Sequence, residues 1–283
     1  MKILTHRGLD PSRKNYFLES SCEAFEDQLA RGFGLEFDVR LSKDNGLIVI
    51  HDGDLGRLSR GKDMRKIGDI NIAEILAMDF SGCHLADLTT ILNLIRDKQS
   101  KECLSAIHLK HDSQEPATLD LILRHLAAAD PTQFIIFDVK IETARYLKSH
   151  SPSLQLAPSV AHPYDIKRYN AVTGGTLYSL DEILPLRDLF DWVWLDEWDL
   201  TDSDGKMKTL YNKEVFAALR AKDFSIALVS SELHASSPGL LGGEAHPNAV
   251  DRATLTTAIK NILSLSPNLI CTDYPDLIRE LSS

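Results

Sequence analysis

The sequence predicts an α/β fold: a (β/α)8 TIM barrel with a small excursion after the second strand region, forming one domain over residues 1–283. Two observations carry this expectation. Short β-rich runs alternate with amphipathic stretches at helical spacing, the pattern of a parallel sheet covered by helices. Once one run is assigned to a hairpin, eight remain, and eight strands in ~250 residues is the size of such a barrel. The rival, a doubly wound open sheet, lacks its usual mark. Gly8 after the first run is followed by Leu9-Asp10-Pro11, which reads as loop rather than as a GxGxxG turn.

In chain order the runs begin with Ile3-Leu4-Thr5 and Leu35 to Val39. The turn Lys43-Asp44-Asn45-Gly46 then folds Leu47 to Ile50 back as a hairpin partner, because Asn-Gly tolerates the positive φ of a tight turn. Residues Gly53 to Ala86, rich in Gly, Asp and Arg with one helix-like piece near Ile72 to Met78, read as an excursion over the barrel mouth. The remaining runs are Ser105 to Leu109, Phe134 to Val139, Leu154 to Ala157, Trp192 to Leu195, Ser225 to Val229 and Asn268 to Cys271. Helical stretches separate most of them: Cys22 to Ala30, Leu88 to Arg96, Leu119 to Ala128, Glu214 to Ala221 and Thr254 to Leu263. In Leu119 to Ala128 the apolar Leu119, Ile122, Leu123 and Leu126 fall on one helical face. A second polar excursion runs from Ser230 to Asp251.

Composition sets the bounds. With 43% apolar and 25% charged residues the chain has enough apolar material for a globular core. A net charge of −10 argues against a nonspecific nucleic-acid binder, which needs a basic face. It leaves phosphate substrates open, since a local Arg, Lys or metal reverses the sign within a cleft. Cys22, Cys83, Cys103 and Cys271 lack CxxC spacing and predict free thiols in a reducing compartment. Met1-Lys2-Ile3-Leu4 leads at once to His6 without a long apolar stretch, and no later run nears the ~18 apolar residues of a membrane span. A cytoplasmic protein is expected, and no element announces a protein partner.

The chemistry concentrates in the first fifty-odd residues, at strand ends. Residues two apart on a strand share a face, so Glu36 and Asp38 project together, inward if Leu35, Phe37 and Val39 face helices. Two buried carboxylates repel unless they share a cation. A divalent metal with oxygen ligands resolves the conflict, and an ion pair of one acid with Arg7 or Arg40 is the plainer alternative. The hairpin returns His51 opposite Asp38 or Arg40, depending on register. His6 and Arg7 leave the neighbouring first strand. Arginine's fork matches phosphate oxygens, and two histidines about a phosphorus can act as acid and base.

These motifs resemble the glycerophosphodiester phosphodiesterase family, whose opening signature runs His-Arg-Gly, Glu-Asn-Thr, acid-x-Asp, then His-Asp after a Lys-Asp-Gly turn. Here they stand as His6-Arg7-Gly8, Glu19-Ser20-Ser21, Glu36-Phe37-Asp38 and His51-Asp52, and Thr272-Asp273-Tyr274-Pro275 is similar to the family's closing motif. The resemblance implies a barrel of the phospholipase C type that uses calcium or magnesium to cleave a phosphodiester. It makes His6 and His51 the acid and base in either order, Glu36 and Asp38 metal ligands, and Arg7 a phosphate contact. It also implies attack by the glycerol 2-hydroxyl and a cyclic phosphate that water opens. On the third strand the family carries Glu-x-Lys, a metal ligand and a phosphate contact. Here Lys110 is in place and His108 stands where the ligand belongs. A nitrogen ligand shifts preference toward manganese or another transition metal, whereas without it a water fills the gap. The seventh-strand stretch Leu228 to His234 also departs from the family pattern, and together with the strand ends Asp138-Val139-Lys140 and Trp194 to Trp198 it offers polar and charged contacts that suit a hydroxylated or cationic leaving group.

The leading expectation is a metal-dependent phosphodiesterase that hydrolyses a small polar glycerophosphodiester-like substrate to an alcohol and a phosphomonoester. One alternative releases a cyclic phosphate. The other is a catalytically impaired barrel, short of a metal ligand at His108, that binds a phosphorylated molecule.

Overall fold

The computed structural model describes residues 1–197, 204–233 and 246–282. Its strands are β1 (Lys2–His6), β2 (Gly34–Leu41), β3 (Leu47–Val49), β4 (Ser105–His108), β5 (Phe134–Phe137), β6 (Leu156–Ala157), β7 (Ser159–Val160), β8 (Leu177–Tyr178), β9 (Trp192–Leu195), β10 (Ser225–Val229) and β11 (Leu269–Thr272). Among the described residues, apart from the antiparallel β2–β3 hairpin, every pairing between these strands is parallel.

The order β5-β4-β2-β1-β11-β10-β9 curls round to a single run that Pro158 splits into β6 and β7. β6 pairs with β5 and β7 pairs with β9. The amides of Asp191 and Trp194 also donate to the carbonyls of Leu156 and Pro158, at 3.2 and 3.0 Å. One run therefore borders both ends of the path and closes an eight-position ring, the TIM barrel expected. The two-residue β8 was not anticipated. It pairs with β7 beside the ring and is too short to show any periodicity in sequence.

Alternation along the strands sorts side chains into two layers. Leu35, Phe37, Val39, Ile107, Leu109, Ile136, Val193, Leu195, Ile226, Leu228 and Ile270 join one cluster with residues of the outer helices, such as Phe25, Ile91, Leu119, Phe216 and Ile259. The intervening Leu4, Ala106, Ile135, Phe137, Trp192, Trp194, Ala227, Leu269 and Cys271 form a second cluster inside the ring. Gly34 keeps β2 close to the chain entering β4, since a Cβ there would lie 1.8 Å from the Leu104 carbonyl oxygen.

The expected helices form with small changes of boundary. Pro116–Leu126 starts three residues earlier than its apolar stripe because Pro116 is favoured in a first turn. Ser21 caps Cys22–Ala30 by accepting from the Ala24 amide, and Asp87 caps Leu88–Lys98 through Thr90. The excursion after the hairpin has its own small core, Leu55, Leu58, Ile67, Ile70, Ile75 and Leu85, closed on Ile48 and Ile50. All four cysteines are free thiols. Among the described residues no helix is long and apolar enough to cross a membrane. Trp198, His234 and much of the second polar excursion lie outside the described residues.

Candidate active site

The inward layer changes from apolar to polar at the C-terminal ends of β1, β2 and β4. His6 ends β1, Glu36 and Asp38 stand on β2, and His108 ends β4 in register with Asp38. Glu36 and Asp38 are 3% and 1% exposed, so their charges need partners. Lys110 Nζ and His108 Nδ1 each lie 2.7 Å from Asp38 Oδ1. Arg7, in the left-handed region with φ 53°, sets its Nε 3.6 Å from Asp38 Oδ2 and donates from Nη1 to Glu19 at 3.3 Å. The Arg7 amide donates to Glu36 Oε2 at 3.3 Å. The Arg7 alternative for an ion pair is therefore realised at Asp38. Arg40 turns to Asp112 and to the His51 carbonyl and takes no part.

His51 arrives differently from expectation. The tight turn pairs Val39 with Val49 and Arg40 with Ile48, and the Ile50 amide donates to the Asp38 carbonyl. Ile50, not His51, is thus opposite Asp38, and His51 follows just beyond the ladder. Its Nδ1 lies 2.7 Å from Asp52 Oδ1, and Arg57 of the excursion bridges Asp52 to Glu19 and so to Arg7. His6 Nδ1 lies 2.8 Å from Asp273 Oδ1. All seven residues singled out in sequence thus gather on one mouth of the barrel. Asp52 and Asp273 belong to the motifs that carry the resemblance, and the sequence assigns them no role of their own. For Asp52 the available signal was its place directly after His51, whereas Asp273 stands 267 positions from His6 and gave none.

Burial and neighbours separate the titrations. Burial first, then Asp38, pushes Glu36 up to about 7. Burial also opposes ionisation of Asp38, but Lys110, His51 and His108 outweigh it and hold Asp38 well below the usual carboxylate range. His51 is lowered to about 4, chiefly by burial, with Lys110 and Arg7 adding to it against Asp38 and Asp52. His6 is lowered by burial and Arg7 against the pull of Asp273. Burial and Lys110 act to lower His108, yet its bonds to Asp138 and Asp38 raise it.

The residues also suit a divalent cation. Ligand atoms of Glu36, Asp38 and His108 lie within 4.8 Å of one another, and Asp38 Oδ2 is buried without a hydrogen-bond partner among the described residues. Two carboxylates and an imidazole are an ordinary donor set for such an ion. Two expected pocket contacts have other work. Glu197 accepts from the amides of Leu210 and Tyr211 and so braces a loop, and Glu232 ties two strand ends together.

A family model described as the glycerophosphoryl diester phosphodiesterase family matches residues 6–165. A glycerophosphodiester phosphodiesterase of Caldanaerobacter subterraneus subsp. tengcongensis is 33% identical over 105 residues, covering 34% of this chain and 41% of that one. One of Bacillus altitudinis is 42% identical over 66 residues, 23% and 25% of the two chains. The chain thus spans less than half the length of these curated relatives. A glycerophosphoryl diester phosphodiesterase structure from Parabacteroides distasonis superposes with a TM-score of 0.66 at 17% identity, covering 99% of this chain and 85% of that one. A phosphodiesterase of Oleispira antarctica, solved with the product sn-glycerol-3-phosphate, gives 0.63 at 13% identity over 99% and 96%. At these identities the likeness is one of fold.

Proposed function

The chain belongs to the glycerophosphoryl diester phosphodiesterase family, and from that premise we propose that it hydrolyses a small polar glycerophosphodiester to an alcohol and a phosphomonoester in a metal-dependent reaction. The observation that carries the reading is the pair of carboxylate-backed histidines, His6 on Asp273 and His51 on Asp52, on the mouth that also holds Arg7 and Lys110. With Nδ1–H committed to its carboxylate, each imidazole keeps Nε2 to take or return a proton. Both histidines are lowered from their ordinary value, so both are neutral near pH 7, the state a base requires. Arg7 and Lys110 supply fixed positive charge beside Asp38, where phosphate oxygens can be met. Glu36, Asp38 and His108 would hold the cation, which when bound offsets charge on the phosphate oxygens.

The relative solved with sn-glycerol-3-phosphate supports a phosphomonoester product. The net charge of −10 supports a small anionic ester held by local cations rather than a nucleic acid. Four free thiols support a reducing, cytoplasmic setting.

Turnover of glycerophosphodiesters carrying neutral and cationic alcohols, followed by phosphorus NMR with a panel of divalent ions, tests this. His6→Ala and His51→Ala are each expected to lower kcat/KM by about 100-fold or more, and a chelator is expected to abolish turnover. Activity retained in both variants overturns the two-histidine reading, and indifference to the chelator overturns the metal. A terminal cyclic phosphate in the spectra makes the enzyme a cyclising one.

A further inference from the structure

We propose that Asp138 is a positioning residue that makes His108 a nitrogen ligand, so that this chain's cation site consists of two carboxylates and one oriented imidazole. The inference rests on the metal-binding reading above and adds the part of the structure that aims the ring. His108 occupies the position where the family carries an acid, and an imidazole binds a cation well only when its plane and tautomer are fixed.

Both are fixed here. The ring stacks on Phe137 with centroids 4.6 Å apart and planes 20° apart, and Phe137 stacks in turn on Trp194 at 3.8 Å and 14°. That pins the imidazole plane to the interior wall of the barrel. Nε2 faces Asp138 Oδ2 at 3.3 Å, while Nδ1 faces Asp38 at 2.7 Å. The two ring nitrogens diverge, so a carboxylate on one leaves the other to a ligand site on the far side. With the Nε2 proton given to Asp138, the Nδ1 lone pair is the one left on the side of Asp38. Among the described residues the potential ligand group is Glu36, Asp38 and His108 and does not include Asp138.

Asp138 is itself held with unusual care. It follows β5 directly and adopts φ 63°, a left-handed conformation that aspartate adopts more readily than most residues other than glycine. Its carbonyl accepts from Gln114 Nε2 at 2.8 Å. Gln114 also binds the Leu109 carbonyl and the Lys140 amide, locking the ends of β4 and β5 together. A carboxylate directed at one nitrogen of a site histidine is the arrangement that orients metal ligands. Nitrogen in the donor set favours manganese or cobalt over calcium.

The test is calorimetric titration of Mn2+, Co2+ and Ca2+ into the chelator-treated full chain and its Asp138→Asn, His108→Glu and doubly substituted forms. Asn tolerates the left-handed backbone, and circular dichroism checks that each variant folds. The wild type is expected to hold Mn2+ more tightly than Ca2+, and Asp138→Asn to weaken Mn2+ by about 10- to 100-fold. His108→Glu should restore preference for Ca2+, and adding Asp138→Asn to it should cost nothing further. Proton NMR of the Co2+ form should show one strongly shifted, exchangeable resonance from Nε2–H that Asp138→Asn removes or broadens, a signature that a merely structural role would not move. Unchanged Mn2+ affinity in Asp138→Asn, or equal weakening in the presence and absence of His108, overturns the inference alone. If the wild type binds none of the three ions, the metal-dependent function falls with it.

Discussion

Glu232 links three residues behind the site. Its Oε1 accepts from Ser230 Oγ at 2.7 Å, Thr272 Oγ1 at 2.5 Å and the Asp273 amide at 3.1 Å, while Oε2 is buried with no hydrogen-bond partner among the described residues. Burial first, then Asp273, lifts its pKa to about 6. A raised carboxyl favours folding while protonated, so its contribution is full below the unfolded value near 4.5 and is lost as pH rises through about 6. Glu232→Gln keeps an accepting oxygen and cannot ionise. Urea denaturation at pH 4.5 and 7.5 should therefore show the wild type losing ~2 kcal/mol relative to the variant across that window. Parallel stability curves would remove this account. Glu232 also marks what sequence alone leaves dark. His6, Arg7, Glu36, Asp38, His51, His108 and Lys110 were legible because period-two spacing and strand-end position announce inward chemistry. The residues that aim them were not. Asp273 reaches His6 across 267 positions, a neighbour relation that exists only once β1 lies beside β11. His108 meets Asp138 only through the β4–β5 register.

At the scale of elements, the hairpin is also the dock for the excursion. The Lys43 amide donates to the Ile70 carbonyl, and the Ile72 amide donates to Asp44 Oδ1, each at 2.9 Å. The Asn-Gly signal located the turn correctly but split its roles unexpectedly. Asn45 takes the positive φ, at 60°, while Gly46 is required for space, since a Cβ there would lie 2.5 to 2.9 Å from the Ile72 side chain. Gly46→Ala should therefore push Ile72 away and destabilise the protein by ~1–3 kcal/mol, whereas Asn45→Gly should be close to neutral because glycine also adopts that φ. Thermal melts of the two variants decide it: equal melting temperatures for Gly46→Ala and wild type would mean that the excursion does not press on the turn. The strands and helices of the ring were legible from periodicity, whereas the β2–β3 register and β8 were not. Register follows from how tightly the turn closes, and β8 is held by its pairing with β7 rather than by any pattern of its own.

For the whole molecule, we propose that the chain folds as one domain with one subordinate unit. The ring places β1 between β2 and β11, so the earliest and latest strands are neighbours and neither half of the chain has a closed sheet without the other. The outer cluster runs unbroken from Phe25 on the first helix to Ile278 on the last. The excursion is different: its small core is separate and meets the ring through Ile48 and Ile50 of the hairpin segment. Local opening follows how much buried apolar surface a unit shares with the rest. Native-state hydrogen exchange should then give the amides of β1, β2, β4, β5, β9, β10 and β11 one common, slowest opening free energy. Amides of residues 53–86 should open at lower free energy, with His51 at the boundary between the two classes. Because Arg57 ties Asp52 and Glu19 to that unit, loosening it should disturb His51 before it disturbs His6. Distinct opening energies for β1, β2, β4 and β5 against β9, β10 and β11 would instead divide the chain into two domains and overturn the single-barrel account.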